Sequence, residues 1–147
     1  AWKPWVDTCI DAFGADRGGR RPEGQDVFAK RGTPVVSVRG GVVVDGGTVK
    51  SPFSGGRGNW VVVYSPLDGR SYVYLHLLEP PLVGVGDPVQ AGQVLGKLGC
   101  TGSCVGAHLH FEVREGRAAP RAETKPIDPL PLLREWPRIA PSLEARQ

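Results

Sequence analysis

Residues 107–112 read Ala-His-Leu-His-Phe-Glu, and the apolar–polar alternation that continues through Val113 and Arg114 is that of a strand with one buried face. Side chains on a strand point alternately to opposite sides, so His108, His110 and Glu112 are predicted to share one face, and Leu109, Phe111 and Val113 the other. Two of the three histidines in the chain therefore look the same way. A pair of imidazoles at this spacing is how a sheet carries a metal or a hydrolytic site. The same pattern also suits an exposed strand whose polar residues meet water.

Working outward, short strands are predicted at Pro34 to Arg39, Val42 to Asp45, Asn59 to Tyr64, Arg70 to Leu77, Val94 to Leu98 and His108 to Arg114, separated by turn residues. Asp68-Gly69 predicts a hairpin that pairs 59–64 with 70–77, because glycine accepts the positive φ of a tight turn. Within Arg70 to Leu77, Tyr72, Tyr74 and His76 should share one face, and Val73, Leu75 and Leu77 the other, with the aliphatic face as core. The two tyrosines read as packing residues in preference to substrate-stacking ones. Gly84, Gly86, Gly92 and Gly96, with Asp87-Pro88, punctuate a turn region. The glycines of Ser51 to Gly58 predict a mobile loop in which Arg57 is a solvated cation.

Composition narrows the class. A chain of 147 residues and 15.7 kDa is one domain with room for a core. Its 21 glycines and 14 prolines fit strands and tight turns better than helices. The net charge of +3 arises from charges spread along the chain, with no basic tract to suggest nucleic acid. No stretch reaches the roughly 18 apolar residues that span a bilayer. With no methionine anywhere, Ala1 reads as a processed start, compatible with removal of a signal peptide or anchor.

Residues 1–12, with Trp2 and Trp5, are expected to form a lead-in, residues 13–132 the domain, and residues 133–147 a tail held by Leu132, Leu133 and Trp136 that frays beyond about Ile139. Cys100 and Cys104 bracket Thr-Gly-Ser in a short loop, and a disulfide is expected if their Cα atoms come within about 7 Å. Such a bond would stiffen the approach to His108 and fit an oxidising compartment. A metal site is the competing reading of Cys-x-x-x-Cys. Cys9 is left over.

Three stretches together carry a resemblance: "RRPEGQDVFAKRGTPVVSVRGGVV" from Arg20, "YVYLHL" at 72–77, and "GDPVQAGQVLGKLGCTGSCVGAHLHFEVREG" from Gly86. In this order they resemble the catalytic domain of the M23 (LytM, lysostaphin-type) zinc peptidases over residues 13 to 132. The resemblance implies a mainly β, antiparallel two-sheet domain with a shallow groove and little helix. Ile127 to Leu130 resembles the segment with which such domains dock their end on the sheet.

The family holds zinc with the His and Asp of a His-x-Gly-x-Asp motif and with the second His of His-x-His. Carried over, this implies Asp26 and His110 as ligands and His76 and His108 as the catalytic imidazoles that flank the metal-bound water. The first motif here reads Pro22-Glu23-Gly24-Gln25-Asp26, so Pro22 stands where a ligand histidine is expected. A catalytic zinc normally has three protein ligands and an open fourth position, and proline offers no side-chain donor. Glu23 is adjacent but should point away from Asp26 on an extended segment. Cys9 is a better chemical ligand at an unknown distance.

The resulting expectation is a peptidoglycan domain, secreted or in the bacterial envelope, whose zinc metalloendopeptidase activity is impaired or lost through Pro22. Two alternatives stay open: an active endopeptidase with a substitute ligand, or a non-catalytic module that binds the wall or regulates an amidase. Partners would be stem or cross-bridge peptides of the wall. If zinc is held, it would polarise a peptide carbonyl and activate water. A plain interaction scaffold is the remaining class, against which the retained histidines argue.

Overall fold

The computed structural model describes residues 24–51, 54–104, 106–118 and 124–139. Nine strands and one helix follow in order: β1 (Gln25–Phe28), β2 (Pro34–Val36), β3 (Gly41–Gly47), β4 (Asn59–Ser65), β5 (Arg70–Leu77), β6 (Pro88–Val89), β7 (Val94–Lys97), β8 (His108–Glu115), β9 (Pro126–Ile127) and α1 (Leu130–Ile139). The fold is mainly β and antiparallel, as the alternation and the resemblance imply. Seven strands form one sheet in the order β1-β8-β5-β4-β3-β6, with β9 also on β8, while β2 and β7 form a separate pair.

The free edge of β8 is shared. Residues 108–111 pair with β1, and Val113 and Arg114 pair with β9. The Asp68-Gly69 hairpin joins β4 to β5 in antiparallel register. Gly69 takes φ +68°, and Asp68 Oδ1 accepts a hydrogen bond from the Arg70 amide at 3.0 Å, so both residues do what such a turn requires.

The main core lies on the sheet face that carries Val61, Val63, Tyr72, Tyr74, Leu109, Phe111 and Val113, against Val35, Leu95 and Leu98 from the β2–β7 side. The opposite face carries a smaller cluster of Val44, Trp60, Val62 and Val73. Each valine-rich strand thus feeds both faces.

The faces of β5 differ from expectation. Tyr72 and Tyr74 belong to the main core, with ring centroids 6.3 and 5.3 Å from that of Phe111, whereas Val73 and Leu75 lie with the smaller cluster. The packing role of the tyrosines holds, but the aromatic face is the main core. His76 does not share their face. It has φ +65°, alone among non-glycine residues of the described chain, which breaks the period-2 alternation, and Leu77 turns into the core instead. Burial of Tyr74 pushes its hydroxyl up to about 12, and the neutral oxygen accepts the Val38 amide at 3.0 Å.

Three elements fall outside the strand list read from sequence: β1, β6 and β9. Leu130–Ile139 are helical, so the 132/133 boundary falls inside α1. Asp128 Oδ1 accepts the Leu130 amide at 3.0 Å, and Pro131 sits in the first turn, where its missing N–H costs nothing. Leu133 is fully buried in the main core and Leu132 packs on it. The expected lead-in at 1–12 lies outside the described residues.

Candidate functional site

Asp26 and His110 face each other across the β1–β8 register. Sharing a register position puts both side chains on the same sheet face, opposite the main core. Asp26 Oδ1 lies 2.8 Å from His110 Nδ1. Glu112, one strand step further on the same face, takes the other ring nitrogen: Oε2 is 2.9 Å from His110 Nε2. Arg114 follows at the next step, and its Nη1 donates to Glu112 Oε1 at 2.6 Å. Arg114 Nε in turn donates to Thr124 Oγ1 at 2.7 Å.

Asp26, His110, Glu112 and Arg114 therefore form a row of alternating charge when the imidazole is protonated. Burial by itself would lower the His110 pKa, but the hydrogen bonds and charges of the two carboxylates win and raise it to about 9. Burial likewise works to raise Asp26 and Glu112. The imidazolium, joined at Glu112 by Arg114, outweighs it and holds both below their ordinary values.

Gly24 is required where β1 enters this contact. A Cβ there would stand 2.4 Å from the Phe111 carbonyl oxygen, 2.7 Å from Glu112 Cγ and 2.9 Å from His110 Nε2. The glycine of the first motif thus lets the backbone close over the His110–Glu112 contact.

The other two histidines stand beside this row. The His76 and His108 ring centroids are 4.9 Å apart, and His76 is 6.2 Å from His110. His108 Nε2 is 3.8 Å from Asp26 Oδ1, and Phe28 stacks on its ring at 5.2 Å. Burial lowers the His76 pKa, partly offset by a hydrogen bond to the Thr101 carbonyl, and the neighbouring imidazoles add to the lowering. The structure brings together Asp26, His76, His108 and His110 from β1, β5 and β8. Pro22, Glu23 and Cys9 lie outside the described residues.

Cys100 and Cys104 are joined by a disulfide, with Cα atoms 5.3 Å apart. Of the loop at 51–58, expected to be mobile, residues 54–58 are tied down. Gly56 O accepts the Ser103 amide at 2.9 Å, and Arg57 O accepts the His76 amide at 2.9 Å. Its glycines serve close approach: a Cβ on Gly58 would stand 2.3 Å from Thr101 Oγ1. Arg57, with its side chain 49% exposed, reaches Asp45 Oδ2 at 3.7 Å and lies over the Trp60 ring.

Zinc takes carboxylate oxygen and imidazole nitrogen, so Asp26 and His110 carry suitable donor atoms. These atoms are bonded to each other, however, and the second His110 nitrogen is engaged by Glu112. Among the described residues, no group of three His, Cys, Asp or Glu is arranged to hold a metal ion. Pro22 adds no side-chain donor. The described residues by themselves do not complete a three-ligand zinc site.

Glu112 and Arg114 had no assigned role in the sequence reading. Their i, i+2, i+4 spacing from His110 on one strand face was the available signal. Thr101 gave no such signal, because it reaches His76 through its carbonyl.

Comparison with known proteins places these residues in context. The family model of Peptidase family M23 matches residues 20–129. The chain is 34% identical over 129 residues to the cell division protein DipM of Caulobacter vibrioides, a match covering 88% of this chain and 20% of that protein. It is 38% identical over 91 residues to the peptidoglycan DD-endopeptidase ShyC of Vibrio cholerae, covering 60% and 19%. The crystallised catalytic domain of lysostaphin from Staphylococcus simulans superposes with a TM-score of 0.70 at 30% identity, over 88% of this chain and 96% of that one. The chain spans about a fifth of the length of these two curated relatives.

Proposed function

The chain belongs to peptidase family M23, and on that premise we propose that it is a peptidoglycan-directed domain of the bacterial envelope whose zinc peptidase activity is weakened or lost through Pro22. The observation that carries this reading is the proline at position 22, where the first motif of the family has a ligand histidine, while Asp26 and His110, the two ligand positions kept, lie together at 2.8 Å. The envelope location and the wall-peptide substrate rest on the relatives, one of which is named a peptidoglycan DD-endopeptidase.

In the family the metal supplies a polarised carbonyl and an activated water. The residues here retain the flanking chemistry. His76 is held neutral by burial, and its Nδ1–H donates to the Thr101 carbonyl at 2.7 Å. That leaves Nε2 as the acceptor, able to receive a proton or a peptide N–H. His108 has its Nδ1 on the Gly106 carbonyl at 2.7 Å and so also presents Nε2. His110 is committed on both nitrogens and serves as a fixed positive charge between two carboxylates.

The test is zinc content and muropeptide cleavage of this chain beside its Pro22→His variant after identical zinc treatment. A metal-free, inactive parent and a zinc-bound, cleaving variant are expected. Stoichiometric zinc and cleavage by the parent overturn the reading and direct the search for a third ligand to Glu23 or Cys9. Binding of muropeptides by an inactive parent assigns it the non-catalytic, wall-binding role.

A further inference from the structure

The segment from Cys100 to Gly106 touches both flanking imidazoles, and it does so through carbonyl groups. Thr101 O faces His76 Nδ1 at 2.7 Å, and Gly106 O faces His108 Nδ1 at 2.7 Å. A carbonyl oxygen only accepts, so each Nδ1 must carry the hydrogen. One seven-residue stretch thereby sets the tautomer of two histidines.

Thr101 is itself fixed. Its hydroxyl donates to Leu77 O at 2.6 Å and accepts the Asn59 amide at 3.1 Å. Asn59 Nδ2 donates to the same Leu77 carbonyl at 3.1 Å. A Cβ on Gly102 would stand 2.4 Å from Gly56 O and from Gly58 N, so the loop is pressed backbone to backbone on residues 56–58. The disulfide closes the loop around these contacts.

Cys104 Sγ has a particular place. It lies 3.0 Å from Gly106 O and 3.5 Å from His108 Nδ1. As a disulfide sulfur it cannot donate a hydrogen bond. As a thiol it would aim an S–H at the carbonyl that His108 already uses.

We propose that the Cys100–Cys104 disulfide, with Thr101, is the positioning element that holds His76 and His108 as single Nδ1–H tautomers, and that reducing it releases both. The proposal concerns the same site as the family reading, and a catalytic consequence rests on that reading, but tautomer and orientation do not. Reduction by an added phosphine takes two electrons. The phosphine becomes its oxide, and water supplies that oxygen and the two thiol protons.

The test uses the whole chain, stripped of metal by chelator, and reads the ring nitrogens by long-range proton–nitrogen NMR at pH 8. Signals are assigned with His76→Gln and His108→Gln. In the oxidised protein both rings should show one protonated Nδ1 and one bare Nε2. After phosphine treatment, with both thiols confirmed by alkylation and mass, the two nitrogens of each ring should move toward averaged shifts while amide dispersion persists. A second pair of variants works without reduction. Thr101→Val should average the His76 signals, and Thr101→Ser, which keeps the hydroxyl anchor, should restore them. An Nε2–H tautomer in the oxidised protein overturns the proposal, as do ring signals unchanged in folded reduced protein or in Thr101→Val. Because neither zinc nor cleavage is read, loss of the peptidase reading leaves this result standing, and the converse also holds.

Discussion

Asp26 Oδ1 and His110 Nδ1 are 2.8 Å apart, and the β1–β8 register sets their Cα atoms directly opposite each other. A carboxylate and an imidazole from separate strands are partners of each other, and Glu112 completes the enclosure of the ring.

Stability of the metal-free protein should fall on the alkaline side. The folded pKa of His110, about 9, lies above its ordinary 6.5. Its contribution is therefore complete below about pH 6 and lost as pH rises through about 9. Asp26 and Glu112 are depressed, so their contribution is present above about pH 5 and lost on acidification. His76, also depressed, acts in the opposite sense to His110: its contribution is complete above 6.5 and lost as pH falls. The net loss from pH 6 to pH 9.5 should be on the order of 2 kcal/mol, counting the shared contacts once. Urea unfolding across this range checks it. A flat or rising alkaline limb, or a limb unchanged in His110→Gln, contradicts the assignment.

Zinc uptake by the Pro22→His variant should release about one proton near pH 7, because the ion must displace hydrogen from His110. Apparent affinity should rise about tenfold per pH unit until about pH 9. Calorimetry in buffers of differing ionisation enthalpy reads the proton count. An affinity independent of pH would show that His110 is not a ligand.

Gly58→Ala should destabilise the chain by about 2–4 kcal/mol. Gly58 takes φ +70°, and an added Cβ meets Thr101 backbone atoms at 2.5 Å as well as its hydroxyl, so the loop has to part from residues 100–104. A thermal midpoint within a degree of the parent would mean that this backbone approach is not needed.

The backbone of His76 repays comparison with its sequence. "YVYLHL" reads as an unbroken strand, and periodicity alone puts His76 beside Tyr74. A left-handed residue costs about 1–3 kcal/mol and persists only where its surroundings impose it. Here the Arg57 and Thr101 carbonyls supply that constraint. Both partners are distant in sequence, so nothing local announces the turn of the ring toward His108.

The helix α1 went unread for a different reason. Two prolines and a short length hide its periodicity, although Asp128 and Pro131 are sound start signals. The short strands β6 and β9 exist only through pairing with β3 and β8, and two residues carry no period to detect.

What the sequence by itself determined is the β-rich class, the hairpin at Asp68-Gly69, the two faces of β8 and the family, because alternation, turn chemistry and motif order are local properties of the chain. Only the tertiary structure decided that His110 is enclosed by Asp26 and Glu112, that the tyrosine face of β5 is the main core, and that His76 leaves that face. Each of these depends on atoms brought together from separate strands: Asp26 and His110 lie 84 positions apart, and a sheet buried on both faces gives hydrophobic periodicity no way to say which face is which.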